Sequence, residues 1–378
     1  MLSWAPSFYF LFYAAAAAIA PFIVLYYQDL GLTGTQIGFL AGIPPLVSLF
    51  SATAWGIISD VTQRHKVSLL VAIGGAILMV LALPAFKTFA WLVPAILLFA
   101  FFFSPIMPLV DSTTMNLLGD RKEGYGRIRL WGAVGWGITA PLAGWIINTR
   151  GAAWMFWGYA GLMALGLLVA LRIPVQRQGP VRRRERGWNL LAKPGWLVFL
   201  STAFFGGVAL SMISNFLLIF LRGLGADEFL LGLTMSSATL SEIPIMYFSA
   251  RWLRAWEARR LMRLAMLFFA LRALACSFIQ IPWLALLVQL LHGPSFSLMW
   301  LAGVAYADEN APAGLSATTQ GLFSGTLLGI GSAVGALLGG MLYDHVGILS
   351  IFQIAGVSAL LGFGLMTLTA RNSYARSL

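Results

Sequence analysis

Five ionisable side chains interrupt stretches that are otherwise apolar: Asp111, Arg129, Glu242, Arg272 and His292. Such a charge costs about 2.5–3.5 kcal/mol at the centre of a membrane helix on insertion scales, so it marks a solute path or a coupling site by default. Imidazole ordinarily titrates near neutral pH, so His292 can carry a coupling proton, as can the carboxyl of Glu242. Arg129 offers a fixed fork of donors suited to a carboxylate or to sugar hydroxyls. Trp136 follows it by seven residues, two turns along the same helix face, where an indole can stack on a sugar ring or an aromatic solute. Asp111 and Arg129 fall at similar depth on either side of one short turn, so they can meet as an ion pair. Glu242, Arg272 and His292 cluster in depth in the other half of the chain. The expectation is one polar cluster per half, facing a shared cavity.

Structural roles compete with these readings. Arg129 can be a loop arginine at the membrane surface, and Asp111 a helix brace. Arg272 with Glu242 can be a bundle-stabilising pair, and His292, followed by Gly293 and Pro294, a packing histidine beside a kink. The joint pattern favours a functional cavity, because each burial without a partner would be costly.

The elements that must position these groups are helices in a bilayer. Of 378 residues, 60% are hydrophobic and 10% charged, against about 25% charged in a soluble protein. A crossing needs roughly 20 mostly apolar residues. Twelve such runs fall at about 4–26, 36–58, 67–86, 91–118, 126–147, 152–172, 196–221, 229–250, 261–279, 283–306, 315–342 and 349–370. The first lacks a basic leader and carries aromatics throughout, so it reads as a retained helix rather than a signal peptide.

Charge gives the sidedness. The net charge is +11. Of the basic residues, Lys87, Arg150 and Arg222 fall on one side, Arg272 within a span, and the other 20 on the opposite side with both termini. That asymmetry predicts cytoplasmic termini. The basic residues lie in separate short loops, which argues against nucleic acid as a partner. The cluster Arg182-Arg183-Arg184-Glu185-Arg186 reads as a solvated linker touching anionic headgroups.

The longest charged connection divides the chain into residues 1–172, a linker at 173–195, and residues 196–378. The fold expected is therefore all-α and polytopic, with 12 transmembrane helices in two pseudo-symmetric six-helix bundles, as in many secondary transporters. Gly132, Gly135, Gly137 and Gly144, and the ladders Gly321, Gly325, Gly329 and Gly331, Gly335, Gly339, read as close-packing positions.

Other chemistries find little support. Cys276 is the only cysteine, and with three His and no HExxH pattern a metal site is not expected. No GxxxxGK[ST] loop is present, so no nucleotide-driven pump is expected from this chain alone. His292 and Ser295 would be the nearest nucleophile pair, without an orienting acid, so no enzyme is expected. A receptor or scaffold would call for an added soluble domain or a long tail.

The segment Trp55-Gly56-Ile-Ile-Ser-Asp60-Val-Thr-Gln-Arg64-His-Lys66 resembles the loop 2–3 signature of the major facilitator superfamily. Pro105-Ile-Met-Pro108-Leu-Val-Asp111, Tyr125-Gly-Arg127-Ile-Arg129-Leu-Trp131-Gly132, Glu242-Ile-Pro244 and Leu291-His292-Gly293 resemble its lactose permease-like and phenylpropionate permease-like branch. The resemblance runs from Pro21-Phe22 to the eleventh span. It implies that Asp111 and Arg129 grip solute and that Trp136 stacks on it. It also implies that Arg272 and His292, with Glu242, couple protons, while Gly56 and Asp60, with Arg64 and Lys66 of the same motif, gate the cytoplasmic side. Two departures stand out. Ser295 replaces the expected proton-carrying glutamate one turn after the histidine. The charged pairs between spans 7, 10 and 11 are missing, and span 7 offers Asn215, counted here among the solute-binding residues.

The function expected is proton-coupled import of a small organic solute (a sugar or oligosaccharide, a nucleoside or an aromatic carboxylate) by a monomer in the inner membrane. No cofactor is expected beyond the proton gradient. An uncoupled uniporter or an efflux exporter is the alternative.

Overall fold

The computed structural model describes residues 4–118, 125–173, 194–312 and 315–374. No strand occurs among them. Long apolar runs without β-spaced alternation give helices, because in a bilayer each backbone group must be bonded within its own segment. Among the described residues twelve helical segments emerge: α1 Trp4–Asp29, α2 Gly34–Thr62, α3 His65–Ala82, α4 Phe89–Leu118, α5 Tyr125–Arg150 and α6 Trp154–Ala170, then α7 Pro194–Gly223, α8 Glu228–Tyr247, α9 Ala258–Ser277, α10 Leu284–Glu309, α11 Thr318–His345 and α12 Ile348–Tyr374. Ten of these are long and apolar enough to span a membrane by length and composition. Of the other two, α6 has 17 residues and α9 carries Arg259, Arg260, Arg263 and Arg272. The expected linker, with its Arg182–Arg186 cluster, lies almost wholly outside the described residues.

Several crossings are interrupted. Pro21 breaks α1, and Ser104-Pro105 breaks α4 into Phe89–Phe103 and Ile106–Leu118. Proline has no N–H to continue the ladder. In α10, Pro294 falls in a π-helical turn at Gly293–Ser297, directly after His292. Such turns frequently mark functional sites.

By packing, the chain forms two compact units. One comprises residues 1–32, 46–182 and 226–236, the other residues 33–45, 183–225 and 237–378. In the first, α1 packs on α5 and α6, and α3 on α4 and α6. In the second, α7 packs on α11 and α12, and α9 on α10 and α12. The pairings are the same, displaced by six helices, so an internal repeat is written into the packing of each unit. The close approaches repeat as well. A Cβ on Gly135 of α5 would stand 2.3 Å from the Phe10 carbonyl of α1, and one on Gly335 of α11 would stand 2.5 Å from the Val208 carbonyl of α7. Only glycine lets the backbones meet there. Gly137 and Gly321, by contrast, face open space.

Candidate functional site

In the first unit, two helices present residue pairs four apart, which places each pair on one face. From α1 come Tyr9 and Tyr13; from α5 come Tyr125 and Arg129. The restarted half of α4 brings Asp111 to them. Its Oδ1 accepts hydrogen bonds from the buried Tyr9 hydroxyl and, at 3.0 Å, from Tyr125. The guanidinium of Arg129 lies 4.3 Å from the ring centre of Tyr13 and 5.9 Å from that of Tyr9, a cation–π geometry. One turn on, Gly132 makes room. A Cβ there would stand 2.5 Å from the Tyr13 ring and 2.9 Å from an Arg129 Nη.

The expected ion pair between Asp111 and Arg129 is not formed. The phenols take the carboxylate and the ring faces take the guanidinium, so Asp111 and Arg129 have separate partners. From sequence, Tyr9, Tyr13 and Tyr125 have no role in the site, because the aromatics of α1 serve only to mark that span as a retained helix. Their i,i+4 spacing opposite that of Tyr125 and Arg129 was the available signal. Trp136 is half-buried two turns beyond Arg129.

In the second unit, His292 Nε2 approaches Glu242 Oε1 at 3.2 Å, with the side chains 14% and 28% exposed. Phe296 stacks on the imidazole at 5.4 Å and 18°. The backbones beneath the pair are joined. The Gly293 N–H donates to Ser241 Oγ at 2.8 Å, and the Ser241 hydroxyl donates to the Ala238 carbonyl at 2.6 Å. Arg272 is buried at 1% exposure. Its Nε and Nη2 both donate to Gln289 Oε1, at 3.0 and 2.7 Å, and Nη1 has no protein partner. The structure thus joins Glu242 to His292, while Arg272 is held by an amide rather than by Glu242. Gln289 escaped sequence reasoning because it is neutral, although it lies one turn before His292. Asn215 donates to the carbonyl and hydroxyl of Ser211, each at 2.9 Å, within its own helix. Ser295 is buried, and its hydroxyl donates to the His292 carbonyl at 3.0 Å.

Of the loop 2–3 motif, Lys66 donates to the Leu171 carbonyl at 2.6 Å, placing a cation on the C-cap of α6, where the helix dipole favours it. Arg64 is exposed in the turn before α3, next to the left-handed Gln63 at φ 52°. A Cβ on Gly56 would meet nothing within 4 Å. The side chain of Asp60 lies outside the description.

The model of the MFS_1 like family matches residues 2–354. The chain belongs to that family. Among proteins similar to this transporter is the maltose permease of Geobacillus stearothermophilus, 27% identical over 370 residues, covering 97% of this chain and 94% of the permease. Another is the probable 3-phenylpropionic acid transporter of Escherichia coli K12, 26% identical over 355 residues, with 91% and 92% covered. The crystal structure of the nucleoside transporter NupG shares the fold at a TM-score of 0.82 and 18% identity, covering 97% of this chain and 98% of NupG. The protein is thus an integral membrane transporter of small solutes in the major facilitator superfamily, not an enzyme.

Proposed function

We propose that this transporter is a proton-coupled symporter that imports a small organic solute by alternating access. The observation that carries the proposal is the contact between His292 Nε2 and Glu242 Oε1 inside two apolar helices. An imidazole and a carboxylate at that distance can exchange one proton between charged and neutral states, which is what a coupling site requires. Arg272, held by Gln289, adds a positive charge within the same unit.

Asp111, Arg129 and Trp136 bind the solute, with Asn215 and Glu242 as further polar contacts. The solute is a sugar or oligosaccharide, a nucleoside or an aromatic carboxylate. Arg129 suits all three, because its donor edge is not consumed by Asp111, and the names of the similar proteins support the same range. Gly56, Asp60, Arg64 and Lys66 gate the cytoplasmic side. The chain works as a monomer in the inner membrane with both termini cytoplasmic, a topology supported by its basic loops, and its energy source is the proton gradient, without a bound cofactor.

The test is uptake in proteoliposomes of maltose, a nucleoside and 3-phenylpropionate, with and without an inward proton gradient. One solute should accumulate with alkalinisation of the medium, and Glu242→Gln should abolish that accumulation. Uptake indifferent to the gradient would refute symport. It would favour the second reading, an uncoupled uniporter or exporter. Ser295 supports that alternative, because it stands where the resemblance places a carboxylate and its hydroxyl is spent on the helix backbone.

A further inference from the structure

Between α8 and α9 the chain does not simply turn. It forms a two-turn helix, Ser249–Ala255; its Arg251, Trp252 and Ala255, with the flanking Phe248 and Trp256, line a groove of about 390 Å³. Positions 248, 251, 252 and 255 share one helix face, so the groove runs along one side of this short element. Its rim is aromatic and open, with Tyr247 80%, Phe248 46% and Trp256 43% exposed. Water would not favour three such rings together, whereas the level of lipid headgroups does.

The charge around the groove is one-sided. From 247 to 263 the chain carries Arg251, Arg254, Arg259, Arg260 and Arg263 against Glu257 alone. Arg254, Arg259 and Arg260 are engaged by the protein. Arg259 donates to the Tyr306 hydroxyl at 3.1 Å, and Arg260 lies 4.0 Å from Glu257. Arg251 is exposed and lines the groove; its backbone N–H donates to the Phe248 carbonyl at 2.9 Å, while its guanidinium makes no hydrogen bond or ion pair among the described residues. A bidentate guanidinium suits a phosphate, and an aromatic groove beside it suits an acyl chain. Together they match an amphiphile with an anionic head.

We propose that Phe248–Trp256 forms a binding site for an anionic phospholipid, with the phosphate on Arg251 and the acyl region in the groove walled by Phe248, Trp252 and Trp256. The site anchors the connection between α8 and α9 at the membrane surface. Its occupant is a lipid rather than a free anion, because the greater part of the wall is apolar.

Native mass spectrometry of the full-length protein, titrated with phosphatidylglycerol and with phosphatidylcholine, tests the site. Phosphatidylglycerol should be retained about fivefold more than phosphatidylcholine, the contribution of one basic residue at a membrane surface. Arg251→Gln should remove that preference, and Trp256→Ala should weaken both lipids alike. Arg172→Gln, an exposed arginine in another basic connection, should leave the preference intact, and thermal unfolding should establish that each variant is folded. Equal retention of the two lipids by the wild type would overturn the site. So would a preference that survives Arg251→Gln, or one lost equally in Arg172→Gln. Displacement of phosphatidylglycerol by inorganic phosphate alone would identify a free-anion site and refute the lipid.

Discussion

The backbone N–H of Gly293 donates to the hydroxyl of Ser241 at 2.8 Å. Because Glu242 follows Ser241 and His292 precedes Gly293, that one bond sets the register in which carboxylate and imidazole meet at 3.2 Å. The approach is as close as two backbones allow, since a Cβ on Gly293 would stand 2.0 Å from the Ser241 carbonyl.

Gly293→Ala should therefore part α8 from α10. The expected cost is about 1–3 kcal/mol, as for other overpacked sites, together with loss of gradient-driven uptake. Ser241→Ala adds no bulk and removes the hydroxyl's hydrogen bonds to the Gly293 N–H and the Ala238 carbonyl, about 1 kcal/mol each. Thermal unfolding of the purified variants ranks the two. An alanine at 293 as stable as wild type would show that the contact tolerates a methyl group and does not set the register.

Arg272 and Gln289 give a second prediction. Gln289→Leu leaves the guanidinium buried without its acceptor, and the expected loss is about 3 kcal/mol. Gln289→Glu retains an acceptor and adds the opposite charge, so it should be the milder change. If the leucine variant unfolded at the wild-type temperature, Arg272 would have another stabilising partner.

Arg129 should be required for solute binding in a way lysine does not satisfy, since lysine lacks both the planar face stacked on Tyr13 and the forked donors. In a thermal-shift screen of sugars, nucleosides and aromatic acids, a stabilising solute should lose its effect in Arg129→Ala and in Arg129→Lys. Tyr13→Phe preserves the ring face and should retain the shift. A solute that stabilises Arg129→Ala as fully as wild type would move the binding site elsewhere.

Lys66 holds the C-cap carbonyl of α6, so Lys66→Ala should cost about 0.3–1 kcal/mol, the range for a charge at a helix end. Lys66→Glu should cost more, because it sets like sign against the dipole. High salt should narrow the gap between these two variants. Equal stability of Lys66→Ala and Lys66→Glu at low salt would remove the dipole from the explanation.

Hydropathy alone marked out the long apolar helices and the scarce charges within them, because crossing a bilayer imposes a length and a composition on each helix independently of its neighbours. The same scarcity picked out Asp111, Arg129, Glu242, Arg272 and His292. Which of them would touch was another matter. Depth along the helix axis can be counted from sequence, but rotation about the axis and the identity of the neighbouring helix cannot. Asp111 and Arg129 share a depth, yet the hydroxyls of Tyr9 and Tyr125 and the rings of Tyr9 and Tyr13 stand between them. Arg272 and Glu242 were matched by charge, yet packing gave Arg272 to the neutral Gln289 and Glu242 to His292. A helix's length and chemistry are local properties written in its residues. Its partners are chosen by close packing, where a missing Cβ at Gly293 or Gly132 decides which side chains meet, and that choice exists only in the folded chain.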